Sequence, residues 1–138
     1  MPQSMKGKRN DDFTLNIDLA PTILSAAKIP VPKQMQGRDM AKLYTDPNSS
    51  KDWRQEFYYE WFTGDKQDIP ASLALVRKDS KYILWPEYDY EQLFRLDNDP
   101  FEERDLFKSN LTTDKELLEN MKTKMDELKK LAGSGVPM

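Results

Sequence analysis

Apolar residues change their spacing along this chain, and the changes separate short helical pieces at the front from strands and one long helix at the back. Between Asp18 and Lys28 they recur at helical intervals, with Ala20, Ile23, Leu24 and Ala27 on one face. Asp18 stands where an N-cap carboxylate would accept from the free N–H groups of the first turn. Pro21 falls inside that turn, where its missing N–H costs little. Ile29-Pro30-Val31-Pro32 then stops the helix, because a residue before proline is pushed out of the helical region. A further helical turn is expected around Asp39 to Tyr44. The stretch Thr45 to Asp52 is rich in turn formers and is the best internal boundary. Residues before Thr14 are polar and read as a frayed terminus.

Past that boundary the period shortens to that of strands. Arg54 to Phe62 places Phe57, Tyr59 and Trp61 on one side, and Tyr58 and Phe62 with Glu56 and Glu60 on the other. Ser72 to Lys78, Lys81 to Trp85 and Gln92 to Leu96 are the next three strands, with a tight turn at Asp79-Ser80 and a stop at Pro86. Connections this short favour antiparallel neighbours. Thr113-Asp114-Lys115-Glu116 has the form of a capping box, and Leu117, Leu118, Met121, Met125, Leu128 and Ala132 follow on one helical face. Gly133 supplies a left-handed stop. The fold class that follows is α+β: a four-stranded antiparallel sheet packed against a long C-terminal helix, preceded by a short helical segment.

Composition removes most familiar chemistry from this frame. Cys 0 excludes a disulfide scaffold and a thiol nucleophile, and His 0 excludes the most common general base and transition-metal ligand. A net charge of −3 without a basic block argues against nucleic acid as a partner. No apolar run reaches the roughly 18 residues of a membrane span. Five glycines form no phosphate-cradling loop. The carboxylates at Asp97, Asp99, Glu102, Glu103 and Asp105 lack the glycine that a calcium loop needs for its sharp turn, and read as a solvated surface. Glu56 and Glu60 stand at strand spacing, with nothing to mark one of them as a buried acid or base. Asn48-Ser49-Ser50 and Asn110-Leu111-Thr112 match the short glycosylation pattern.

Six segments nevertheless resemble the late part of sulfatases. Asp18-Leu19-Ala20-Pro21-Thr22-Ile23-Leu24, Ile29-Pro30-Val31-Pro32 and Met35-Gln36-Gly37-Arg38-Asp39-Met40 are similar to the family's D-L-A-P-T, V-P-x-P and M-Q-G-R-S-L wording. Val76-Arg77-Lys78-Asp79-Ser80-Lys81-Tyr82-Ile83 resembles its V-R-T-D strand pair. Gln92 to Leu96, followed by Asp99-Pro100-Phe101-Glu102-Glu103-Arg104-Asp105-Leu106, resembles E-L-Y-D-L then D-P-x-E-x-x-N-L. Asp39, Arg95 and Asp105 depart from the usual Ser, Asp and Asn. In the connection after the fourth strand, Pro100 presets a turn and Glu102 is expected to cap free N–H groups.

The resemblance implies that residues 1–52 are the tail of an N-terminal α/β sulfatase domain and that residues 53–138 are the C-terminal subdomain. It implies a parent that hydrolyses sulfate esters of sugars, in the periplasm or secreted, with a formylglycine nucleophile and calcium upstream of this segment. The formylglycine motif, Cys or Ser two residues before a proline, is absent, so no catalytic residue is assigned here. A related phosphate or phosphonate monoester hydrolase, or a non-catalytic binding module, is the alternative. Lys66 and Gln67, in the loop between the first two strands, are the candidates for substrate contact. Ala20, Ile23, Leu24 and Ala27 are expected to pack on the missing N-terminal domain or, without it, on a second copy.

Overall fold

The structure, a computed structural model, describes residues 7, 9–46, 48–62 and 69–133. It divides into two compact units, Met1–Gln55 and Glu56–Met138. Trp53 and Arg54 fall in the first unit because their side chains reach back to Phe13 and Asp18.

The first unit holds α1 (Leu19–Ala26) and α2 (Lys42–Thr45), with single 3-10 turns at Asn16–Asp18 and Ser49–Asp52. Helix α1 ends at Ala26, and Lys28, two residues on, adopts a left-handed φ of 59°. The Ile29 N–H then reaches the Leu24 carbonyl at 2.9 Å, closing the last turn before the proline-rich segment. Asp18 does not cap this helix, since its side chain makes no cap hydrogen bond to it. Its carboxylate is engaged elsewhere.

The second unit contains β1 (Glu56–Trp61), β2 (Ser72–Arg77), β3 (Ser80–Trp85), β4 (Tyr90–Arg95) and α3 (Thr112–Ala132). The strands form one antiparallel sheet in sequence order. One cross-strand row, Tyr58–Leu75–Tyr82–Leu93, runs under α3. Leu73, Leu75, Tyr82 and Leu93 are buried there with Met121 and Met125, and Leu117, Leu118 and Leu128 pack at the margin. Each buried leucine contributes about 1.5–3 kcal/mol of transfer free energy, so this layer dominates the unit's stability. The opposite face buries Ala74, Ile83 and Phe94, flanked by Tyr59, Trp85 and Leu96. On the outer edge of β4, the Leu93 N–H donates to Asp105 Oδ1 (3.1 Å) and its carbonyl accepts from Leu106 N–H (2.8 Å). Asp105 therefore satisfies part of an edge that would otherwise template another strand.

Two local expectations fail: α3 starts one residue too early for the capping box, and a tertiary partner takes the Glu102 side chain. Helix α3 starts at Thr112, with Leu111 at the N-cap and no side-chain cap, so the capping box does not form. Asp114 instead accepts from the Ser109 hydroxyl (2.6 Å) and from Arg95 Nε (3.1 Å). Glu102 does not cap the connection either. It sits at a φ of 57° and pairs with Lys81 Nζ at 2.8 Å, while Asp99 accepts from the N–H groups of Glu103 and Arg104. Gly133 does end α3 as expected, at a φ of 65°.

Candidate functional site

The most highly organised polar cluster lies in the first unit and is built around Asp18. This carboxylate is fully buried. It accepts from the Leu15 and Arg38 N–H groups, each at 2.8 Å, and from both terminal nitrogens of Arg54, Nη2 at 2.7 Å. Burial alone would raise its pKa. The Arg54 fork and the two backbone donors outweigh that and hold the group below its ordinary value. Thr22 links the same point to another segment: its hydroxyl donates to the Asp18 carbonyl (2.7 Å) and accepts from Met40 N–H (2.9 Å).

The chain must pass close to this cluster, and Gly37 permits it. A Cβ there would lie 1.9 Å from the Ile17 carbonyl oxygen, backbone that cannot step aside. Next to it the guanidiniums of Arg38 and Arg54 sit 5.7 and 5.3 Å from the Trp53 ring centre. The Trp53 indole N–H donates to the Phe13 carbonyl at 2.7 Å. A groove of about 460 Å³ opens beside them, lined by Pro21, Ser25, Arg38, Lys42 and Trp53 among others. Its polar groups are mainly committed to turns: Asp39 caps Ala41, Asp46 caps Asn48, and the Ser49 hydroxyl donates to the Lys42 and Asp46 carbonyls. The arrangement positions chain segments.

In the second unit the polar groups knit α3 to the sheet. The Tyr82 hydroxyl donates to Glu91 at 2.5 Å, and Lys122 reaches the same oxygen at 2.6 Å. Burial and then the Glu91 charge push the Tyr82 hydroxyl far above its ordinary pKa, so it stays protonated. A smaller hollow of about 240 Å³ at the start of α3 is bordered by Arg95, Arg104 and Asp114. Among the described residues no group of three or more His, Cys, Asp or Glu is placed to hold a metal ion. No helix among the described residues is long and apolar enough to cross a membrane.

Lys66 and Gln67 lie outside the described residues; the flanking Phe62 and Ile69 are both exposed. The four helical residues Ala20, Ile23, Leu24 and Ala27 are not equivalent. Ala20, Ile23 and Ala27 face out with Leu19, whereas Leu24 turns partly inward beside the buried Pro21. Sequence reasoning missed Arg54 and Trp53 as partners of the Asp18 cluster. The available signal was a carboxylate flanked by Ile17 and Leu19, which demands a cation once it is buried.

Residues 1–131 match the profile of the C-terminal region of N-sulphoglucosamine sulphohydrolase. The chain belongs to that sulfatase C-terminal family. Among curated relatives, it is similar to an arylsulfatase of Clostridium perfringens, 29% identical over 126 residues, covering 91% of this chain and 23% of the relative. It is also similar to an N-acetylglucosamine-6-O-sulfatase of Bacteroides thetaiotaomicron, 27% identical over 115 residues, covering 77% of this chain and 20% of the relative. The sulfatase C-terminal chain thus spans about a quarter or less of these relatives. Its fold matches that of a protein solved with its substrate D-glucosamine-2-N,6-O-disulfate, at a TM-score of 0.74 and 22% identity over 87% of this chain and 24% of that one. It matches a 2-O glycosaminoglycan sulfatase as well, at 0.73 and 21%, over 85% of this chain and 25% of that one. The residues that carry the sulfatase resemblance now have a physical role. Asp18, Thr22, Gly37 and Arg38 are the pieces that close the buried cluster.

Proposed function

We propose that this chain is the C-terminal part of a sulfatase that hydrolyses sulfate esters of sugars, and that it acts there as scaffold and lid without contributing a catalytic residue. The observation that carries the reading is the family match over residues 1–131, together with relatives named as sulfatases that are several times longer. In this reading the formylglycine nucleophile and the calcium belong to the preceding α/β domain, which also covers the outward face of α1. The enzyme works in the periplasm or outside the cell. Lys66 and Gln67 contact substrate from the β1–β2 loop.

The test uses the full-length protein and the 138-residue chain side by side. The full-length protein is expected to release sulfate from sulfated glucosamine substrates, and the chain alone to show no turnover above buffer on the same substrates or on an aryl sulfate. Cleavage of phosphate or phosphonate monoesters in place of sulfate esters would favour the alternative hydrolase. Turnover by a highly purified chain would remove the scaffold reading. In the full-length protein, replacing Lys66 and Gln67 by alanine should lower kcat/KM on the sugar sulfate more than on a small aryl sulfate. Equal effects on the two would reject their substrate role.

A further inference from the structure

One end of the sheet carries a row of aromatic residues of which only Trp85 packs against a buried layer. Trp61 pairs with Ser72 and Trp85 pairs with Tyr90, while Leu73–Leu84 joins the two pairs one position inward. By strand alternation Trp61, Trp85 and Tyr90 share the face opposite α3, at its open end. Trp61 and Tyr90 are 42% and 43% exposed, and Trp85 is half-buried. Between the two tryptophans lies one strand, whose residue at this level is the small Ser72, so their backbones stand roughly 9–10 Å apart, two strand spacings. That separation suits the length of one or two sugar rings.

The row is also anchored. The Trp85 indole N–H donates to Gln92 Oε1 at 2.9 Å, and the Tyr90 hydroxyl donates to Asp105 Oδ2 at 3.2 Å. Each ring is tethered by its polar tip, which reduces the entropy lost when something docks on the apolar part. Trp61 differs: its indole N–H makes no hydrogen bond among the described residues and is available to a hydroxyl. None of the residues in the row is charged, so its affinity is for an apolar ring face edged with hydroxyls and not for a sulfate.

We propose that Trp61, Trp85 and Tyr90 form a carbohydrate platform that stacks a pyranose ring of a glycan. This rests on the sugar-sulfatase reading for its choice of ligand, and it adds a contact to the neutral part of the sugar chain. The test follows the three indole N–H signals by ¹⁵N NMR in the 138-residue chain, assigned by single substitution. The probes are a neutral N-acetylglucosamine tetramer and a sulfated heparin-type tetrasaccharide, each at low and high salt. The Trp61 and Trp85 signals should move with both probes, with midpoints that change little with salt. Trp53, whose N–H is bound to Phe13, should stay still. Trp61→Ala should weaken binding at least about tenfold, and Trp61→Phe, which keeps a ring, should retain most of it.

Four results overturn the platform: no movement with either probe, movement with the sulfated probe alone that salt abolishes, unchanged affinity in Trp61→Ala, or signals that follow protein concentration and not sugar. The last would make the row a protein-docking surface. Sulfate release by the full-length protein is read separately. Binding without any sulfatase activity would sink the sugar-sulfatase reading alone, and activity without binding would sink the platform alone.

Discussion

The two units of this chain reach order by different means. Among the described residues, the second unit buries leucines, aromatics and two methionines between a sheet and a helix, and its polar groups sit around that layer. The first buries Leu43, Trp53 and Pro21, while Ile17, Leu19, Ile23, Ile29, Val31 and Met35 stay exposed. Its interior is organised by a carboxylate, a guanidinium and backbone N–H groups. A hydrophobic layer is non-directional and tolerates small changes, because neighbours can relax into lost volume. A buried ion pair has a defined geometry and fails abruptly when one partner goes, because an unpaired charge is left in a dry site. The first unit should therefore be the brittle one.

The largest effect is expected from Arg54→Ala. Arg54 is 9% exposed on its side chain and Asp18 not at all, so the substitution leaves a bare buried carboxylate. The expected loss is about 3–5 kcal/mol in the first unit. Hydrogen exchange would register it at the amides of Leu15 and Arg38, which lose their acceptor's fixed position. Protection there equal to the parent chain would mean that the cluster does not organise this unit. Leu75→Ala should come next, at about 2–5 kcal/mol, and act through the sheet and α3. Its signature is a lowered unfolding midpoint of the second unit, and an unchanged midpoint would show that the core row is not where that unit's stability lies.

Acid offers a way to break the first unit without mutation. Asp18 is held below its ordinary carboxyl value of 3.8. The stability it supplies is fully present above that value and disappears as the pH falls through its lower value in the folded chain. Asp114 is likewise lowered, by the Ser109 hydroxyl first and then, against opposing burial, by Arg95. Its loss in the same range loosens the start of α3, while the leucines and methionines of the apolar layer carry no titratable group. Below about pH 4, protection should fall at Leu15 and Arg38 before it falls along the Tyr58–Leu75–Tyr82–Leu93 row. Simultaneous loss at both places would show that the contrast between the units has no energetic weight.

The same contrast decides what could be read from the chain beforehand. Strand alternation and the Leu117–Met121–Met125 spacing are local patterns that reflect one dominant force, and they gave the sheet, its order and α3 to within a few residues. The Asp18–Arg54 pair spans 36 positions and leaves no periodic trace. Short polar motifs mislead where a helix starts early or a distant partner competes: α3 begins at Thr112, ahead of the box residue Thr113, while Asp18 turns to Arg54 and Glu102 to Lys81. The motif residues Asp18, Thr22, Gly37 and Arg38 show along the chain as a resemblance, and their common purpose does not. That purpose is a convergence in space, which spacing along the chain does not encode.

The smallest effect on stability, and the sharpest probe of the first unit's surface, is Ile23→Ser. Helix α1 carries no charged residue, and an apolar helix face is normally covered. Ile23 is 67% exposed, with Leu19 at 55% and Ile29 at 52% close by in sequence. Since this side chain gains little from its own chain, replacing it should change unfolding free energy by less than about 0.5 kcal/mol. Association is another matter. In the 138-residue chain the outward face of α1 is expected to dock against a second copy, which would protect Leu19 to Ala26 more strongly as concentration rises. Ile23→Ser should erase that concentration dependence in hydrogen exchange and in sedimentation, and leave protection in the sheet as it was. If α1 were equally protected at every dilution in the parent chain, with a monomer by sedimentation, self-association through this face would be ruled out. If Ile23→Ser instead unfolded the first unit, Ile23 would be part of an interior and not of a surface.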